Sequence, residues 1–132
     1  MKNALACFII LALSTSPAAT QTPKELKTKQ GASVPLVNLL NVRPGCTGNP
    51  APVAVPIVRE KPANGTVQML IVITDLAATA NCAARKVPAV ALIYSPKDGF
   101  TGTDTVGIEI ETGNRTTVLS YRISVIPPGE TL

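Results

Sequence analysis

A chain of 132 residues with a formal charge of +4 and no histidine has the size of one domain with one core. Lacking histidine, it lacks the commonest general base and the imidazole ligand of zinc sites. With two tyrosines, two phenylalanines and no tryptophan, it also lacks the stacking platform on which single-stranded nucleic acid binding rests, and carbohydrate stacking is disfavoured for the same reason.

The chain opens "MKNALACFIILALSTSPAAT". Lys2 supplies a positive start, Ala4 to Leu13 is apolar, and Ser16 and Ala18 are spaced for cleavage after Ala18, with Ala19 as the alternative. This pattern predicts a secretory signal peptide over residues 1–19, because the apolar run is half the length needed to span a bilayer. The mature chain is then exported: periplasmic, at the cell surface or secreted, and not an integral membrane protein. Removing Lys2 leaves eleven basic against eight acidic side chains, a mild +3. Lys24, Lys27 and Lys29 fall in a segment read as a flexible basic leader over residues 20–31, with a foothold on an acidic envelope surface as its lesser reading.

Cleavage also removes Cys7, so Cys46 and Cys82 remain. An even pair in an oxidising compartment predicts a disulfide. Structural zinc needs four Cys or His ligands, and a catalytic cysteine needs a base; the chain supplies neither.

From residue 32 to 132 short β-rich runs alternate with turn residues. "SVPLVNLLNV" is a strand whose Pro35 confines it to an edge or an early position. "RPGCTGNPAP" is a loop, "VAVPIVRE" a second strand, and "KPANGT" a turn with Asn64-Gly65 at its tip. "TVQMLIVIT" carries apolar residues on both faces, the pattern of a central strand buried on two sides. "DLAATANCAARK" reads as an ordered loop or a short helix. "VPAVALIY" is a strand with Val90, Leu92 and Tyr94 on one face.

"TVGIEIE" and "TTVLSYRISVI" alternate cleanly around Gly113-Asn114, a type II′ hairpin signal. That turn sets Thr112 opposite Arg115, Ile110 opposite Thr117, Ile108 opposite Leu119 and Val106 opposite Tyr121. Glu109 and Glu111 then pair with Val118 and Thr116 on the other face, and a slip of one residue would oppose inward residues to outward ones. Six or seven such strands with almost no helix predict an all-β, antiparallel Ig-like β-sandwich with one disulfide.

"KPANGTV" followed by "YSPKDGFTGTDTVGIEI" resembles the Ig-like and cadherin-like repeats of bacterial surface proteins. The matching positions are Pro62, Gly65, Tyr94, Pro96, Gly99, Phe100, Gly102 and Asp104, in the second half of the chain. The family's pattern adds aromatics after the aspartate, where this chain has Val106, Gly107 and Ile108, and its repeats occur in tandem. The resemblance implies a β-sandwich at the surface or in the periplasm, with Tyr94 to Asp104 as a structural turn.

Few residues invite chemistry. Asp98 and Asp104 are weak calcium candidates, since calcium favours clustered carboxylates. The hairpin register turns Asp104 inward, however, where its carboxylate needs donors, the amides of Gly99 to Thr103 being nearest in sequence. Glu109 and Glu111 share a strand face as a glycosidase pair would, but on an outward face a solvated edge is the stronger reading. Asn64-Gly65-Thr66 and Asn114-Arg115-Thr116 are formal glycan acceptors in turns. No residue set calls for a cofactor. The expectation is therefore a non-enzymatic binding or structural module of the envelope or surface, whose partner is an unspecified protein or envelope component. The alternatives are a secreted inhibitor presenting a loop at Cys46 or Cys82 and, less favoured, a hydrolase using Glu109 or Asp98.

Overall fold

The structure, a computed structural model, describes residues 21–40, 45–46 and 54–132; the expected signal peptide lies outside them. Seven strands follow in order: β1 Lys24–Lys29, β2 Val34–Leu40, β3 Pro56–Glu60, β4 Gly65–Leu76, β5 Arg85–Pro96, β6 Gly102–Thr112 and β7 Arg115–Ile126. They form two sheets, one in the order β1-β7-β6-β3 and the other β2-β5-β4. Strands two, five and four in one layer against three, six and seven in the other is the Ig-like arrangement. The first strand is moved to the outside of β7. Among the described residues no helix is long and apolar enough to cross a membrane.

The β6–β7 hairpin has the register that its sequence implies, with Thr112 opposite Arg115, Ile108 opposite Leu119 and Val106 opposite Tyr121. Gly113 adopts φ +60°, the left-handed value that a type II′ turn requires at its first central position. The inward residues of that hairpin, Val106, Ile108, Ile110, Tyr121, Ile123 and Val125, meet Leu36, Leu92 and Tyr94 of the facing sheet in one core. Each such side chain, fully buried, contributes about 1.5–3 kcal/mol relative to exposure.

Two expectations change. Lys24 to Lys29, read as a flexible leader, form β1, which pairs in parallel with β7 from Lys24↔Tyr121 to Lys29↔Ile126. The sandwich is therefore not wholly antiparallel. The lysines hid an alternation: Leu26 is half-buried and Thr28 buried, with Lys24 and Lys27 exposed between and beside them. Thr28 also fixes the turn that follows, its Oγ1 donating to the Ala32 carbonyl at 2.9 Å.

The second correction concerns β4, whose two apolar faces suggested a central strand. β5 occupies the centre of that sheet, and β4 is its edge. β5 is the better buried of the two, with Val87, Ala89, Val90, Ala91, Leu92 and Tyr94 all buried. On β4, by contrast, Met69, Leu70, Ile71 and Ile73 remain exposed. Periodicity reports which residues are apolar, and it cannot distinguish a strand with two neighbours from one with a single neighbour.

Candidate functional site

The turn that joins β5 to β6 lies at the end of the sandwich where β3 also turns into β4. Asp104, 4% exposed, enters β6 with its carboxylate pointed inward, as the hairpin register requires. Its donors differ from those expected. The Gly99–Thr103 amides do not provide them; instead the Ala63 amide donates to Oδ1 and the Asn64 amide to Oδ2, each at 2.9 Å. The Tyr94 hydroxyl donates to Oδ2 at 3.0 Å, and the Thr105 amide to Oδ1 at 3.1 Å. One buried carboxylate thus satisfies two amides of the β3–β4 turn, a β5 phenol and an amide of its own strand. The Lys97 amide adds a bond to the Asn64 carbonyl at 2.9 Å, and its ammonium one to the Ala63 carbonyl at 3.1 Å.

This explains the residues that carry the resemblance. Gly65 stands where a Cβ would overlap the Tyr94 ring and lie 2.6 Å from the Ser95 carbonyl oxygen, so no larger side chain fits beside the tyrosine. Phe100 packs half-buried against the core, closing the same end. Gly65, Tyr94 and Asp104, dispersed in sequence, are brought into one latch with the turn that follows Pro62. For calcium the geometry is unfavourable: both Asp104 oxygens face N–H and O–H donors, and Asp98 is exposed. No group of three or more candidate metal ligands occurs among the described residues.

Burial, reinforced by the hydrogen bond to Asp104 and its charge, pushes the Tyr94 hydroxyl well above its ordinary pKa, and burial also raises Tyr121. A folded-state pKa above the unfolded value of about 10 means that the contribution is intact below that pH and lost above it. The melting temperature is therefore expected to hold from neutrality to about pH 9 and to fall beyond about pH 10. Tyr94→Phe should fall less steeply over that range, although starting lower. A wild-type melting temperature unchanged up to pH 11 or so would contradict the burial of these phenols.

The two acids of the hairpin have different surroundings. Glu109 is held by Arg59, whose Nη2 and Nε donate to it at 2.8 and 3.1 Å; this guanidinium holds the carboxyl below its ordinary pKa. Glu111 is exposed two residues further on. The pair bridges β6 to β3 at the surface, where such contacts contribute little to stability.

At the opposite end, Cys46 and Cys82 are disulfide-bonded, tying the β2–β3 connection to the β4–β5 connection. The latter is an ordered loop with no helix: the Thr79 amide donates to the Cys82 carbonyl at 2.8 Å, and the Cys82 amide to Thr79 Oγ1 at 3.2 Å.

Between the two ends, the flank where β3 and β4 face each other is open among the described residues. One hollow of about 330 Å³ is lined by Ala54, Val55, Pro56, Met69, Ile71 and Val90. A second, of about 350 Å³, lies further along the same flank beside Val58, Pro62 and Val67. Val55 is 58% exposed and Ile71 74%. The register places Met69, Ile71 and Ile73 on the same face as Leu92 and Val90, so these are core-facing residues that the five-residue β3 is too short to cover. The sequence marked these residues as apolar, but nothing local in it revealed that the neighbouring strand would stop short.

Comparison with known proteins found no family model that matches this chain and no similar curated protein. The class that the fold defines is an Ig-like β-sandwich with one disulfide, latched at one end and bridged at the other.

Proposed function

We propose that the chain is an exported, non-enzymatic Ig-like module that binds a protein or other component of the cell envelope or surface. The observation that carries this reading is the open β3–β4 flank. A sandwich fixed at both ends holds Val55, Met69, Ile71 and Ile73 toward solvent, and uncovered apolar area beside polar surroundings marks contact surfaces. Export is supported by the signal-peptide pattern of residues 1–19 and by the Cys46–Cys82 bridge, since disulfides persist in oxidising compartments. The basic edge strand β1, with Lys24 and Lys27 exposed, suits an anionic envelope setting.

The test is fractionation of the native host followed by crosslinking from a photoreactive residue at Val55. The module reading expects chains cleaved after Ala18 or Ala19, oxidised at Cys46 and Cys82, and joined through Val55 to an envelope component. Uncleaved, reduced chains in the cytoplasm would overturn it. The inhibitor alternative places the contact at the Cys46–Cys82 end instead, and it requires inhibition of an enzyme that is lost on reduction.

A further inference from the structure

A β-sandwich with two open sheets has four edge strands, and an unprotected edge recruits another strand. Three of the edges here carry protection. β1 is six residues long and holds three lysines. β2 contains Pro35 and a register shift between Pro35 and Val37. β3 has five residues, begins at Pro56 and shifts register between Val58 and Glu60. Short length, proline, bulges and charge are the devices that blunt an edge.

β4 has none of them. It runs for twelve residues without proline and pairs with β5 in unbroken register from Gly65↔Pro96 to Leu76↔Arg85. Its single charged residue, Asp75, is bridged by Lys86 at 2.6 Å, so the strand presents little charge to repel a copy of itself. Its other edge has no strand partner among the described residues, and Met69, Leu70, Ile71 and Ile73 are exposed along it.

The sequence of β4 also matches itself when reversed. Antiparallel pairing of two copies about Ile71 sets Ile71 against Ile71, Met69 against Ile73 and Leu70 against Val72. It sets Gln68 against Thr74, keeping polar with polar, and places Asp75 opposite Val67 near the ends. Moving the two-fold by one residue opposes Gln68 to Val72 or Met69 to Asp75. The pattern thus selects one register, as cross-strand matching does within sheets.

We infer that the partner of β4 is a second copy of this chain, paired antiparallel about Ile71 to make a closed two-fold dimer. The two three-stranded sheets become one of six strands, β2-β5-β4 continued by β4-β5-β2 of the second copy. Met69, Ile71 and Ile73 of each copy are then covered where β3 leaves them bare. The contact is isologous, so it closes at two copies and leaves no further β4 edge to propagate.

This inference rests on reading the β3–β4 flank as a contact surface, and the two can fail separately. The mature, oxidised chain is expected to sediment at twice its monomer mass at micromolar concentration. Ile71→Lys should return it to one monomer mass, weakening association at least about tenfold, because it opposes two ammonium groups in the pair. Ile71→Cys should oxidise readily to a covalent dimer, since directly opposed Cα atoms lie about 4.5–5.5 Å apart, within disulfide reach. Val118→Cys, exposed on β7, should not crosslink. The cysteine variants keep the test valid should the lysine variant fail to fold. A monomeric wild type overturns the dimer, as does an open-ended ladder of masses or equal crosslinking at positions 71 and 118. A monomer that still crosslinks through Val55 to an envelope component would leave the module reading standing.

Discussion

Asp104→Ala is expected to cost about 3–5 kcal/mol of folding stability, because it leaves several neutral donors without an acceptor, at roughly 1–3 kcal/mol for each one kept from water. Four donors lose their acceptor at once: the adjacent Ala63 and Asn64 amides, the Tyr94 hydroxyl and the Thr105 amide. A domain of this size shifts its melting temperature by roughly 4–8 °C per kcal/mol, so a fall of roughly 12–40 °C should result. Asp104→Asn keeps the shape and one carbonyl oxygen but turns an NH2 group toward a donor. Its loss should be smaller, about 2 kcal/mol. Denaturant titration of both variants measures this directly, and a loss below about 1 kcal/mol for the alanine variant would mean that the latch is ornamental.

Removing the Cys46–Cys82 bridge should have the second large effect. The bridge spans 36 positions in sequence, and closing a loop of that length stabilises by about 4 kcal/mol on the chain-entropy account. Melting with and without reductant measures it, and Cys46→Ser with Cys82→Ser should reproduce the reduced value. The bridge and Asp104 sit at opposite ends of the sandwich and share no partner. Their losses should therefore add within about 0.5 kcal/mol when Asp104→Asn is reduced. A marked departure from additivity would show that the two ends are coupled through the strands.

Much of this architecture could be read from the sequence where two independent signals agreed. In the last hairpin, turn chemistry at Gly113 and alternation along both arms specify one register, and the whole of it is observed. The inward direction of Asp104 follows from that register by parity alone. The identity of its donors does not, because Ala63 and Asn64 lie some forty residues away and an amide carries no side-chain signature. The resemblance of these stretches to surface-protein repeats marks Gly65, Tyr94 and Asp104 without giving their contacts. What joins them is steric: Gly65 leaves room for the Tyr94 ring, and the ring delivers its hydroxyl to the carboxylate.

The readings that changed share a cause. Lys24 to Lys29 alternate inward and outward, but three lysines, two of them exposed, outweigh one leucine and one threonine in any count of apolar residues. β4 has the composition of a buried central strand while sitting at an edge, because sheet order is set by long-range pairing. The mismatch between composition and position on β4 is informative in itself. Residues patterned for burial on both faces, left uncovered in the single chain, point to a surface that becomes buried by association.

The central structural claim is that Asp104 ties the β3–β4 turn to β5 and so gives the patterned stretch from Tyr94 to Asp104 a folding role. Amide hydrogen exchange at Ala63 and Asn64 tests it most directly. Both residues lie in a surface turn outside the strands, yet each amide donates to a buried carboxylate. They should exchange slowly, with opening free energies close to that of global unfolding, and lose this protection in Asp104→Ala even where the domain remains folded. Exchange at the rate of an exposed loop amide in the wild-type chain would contradict the account.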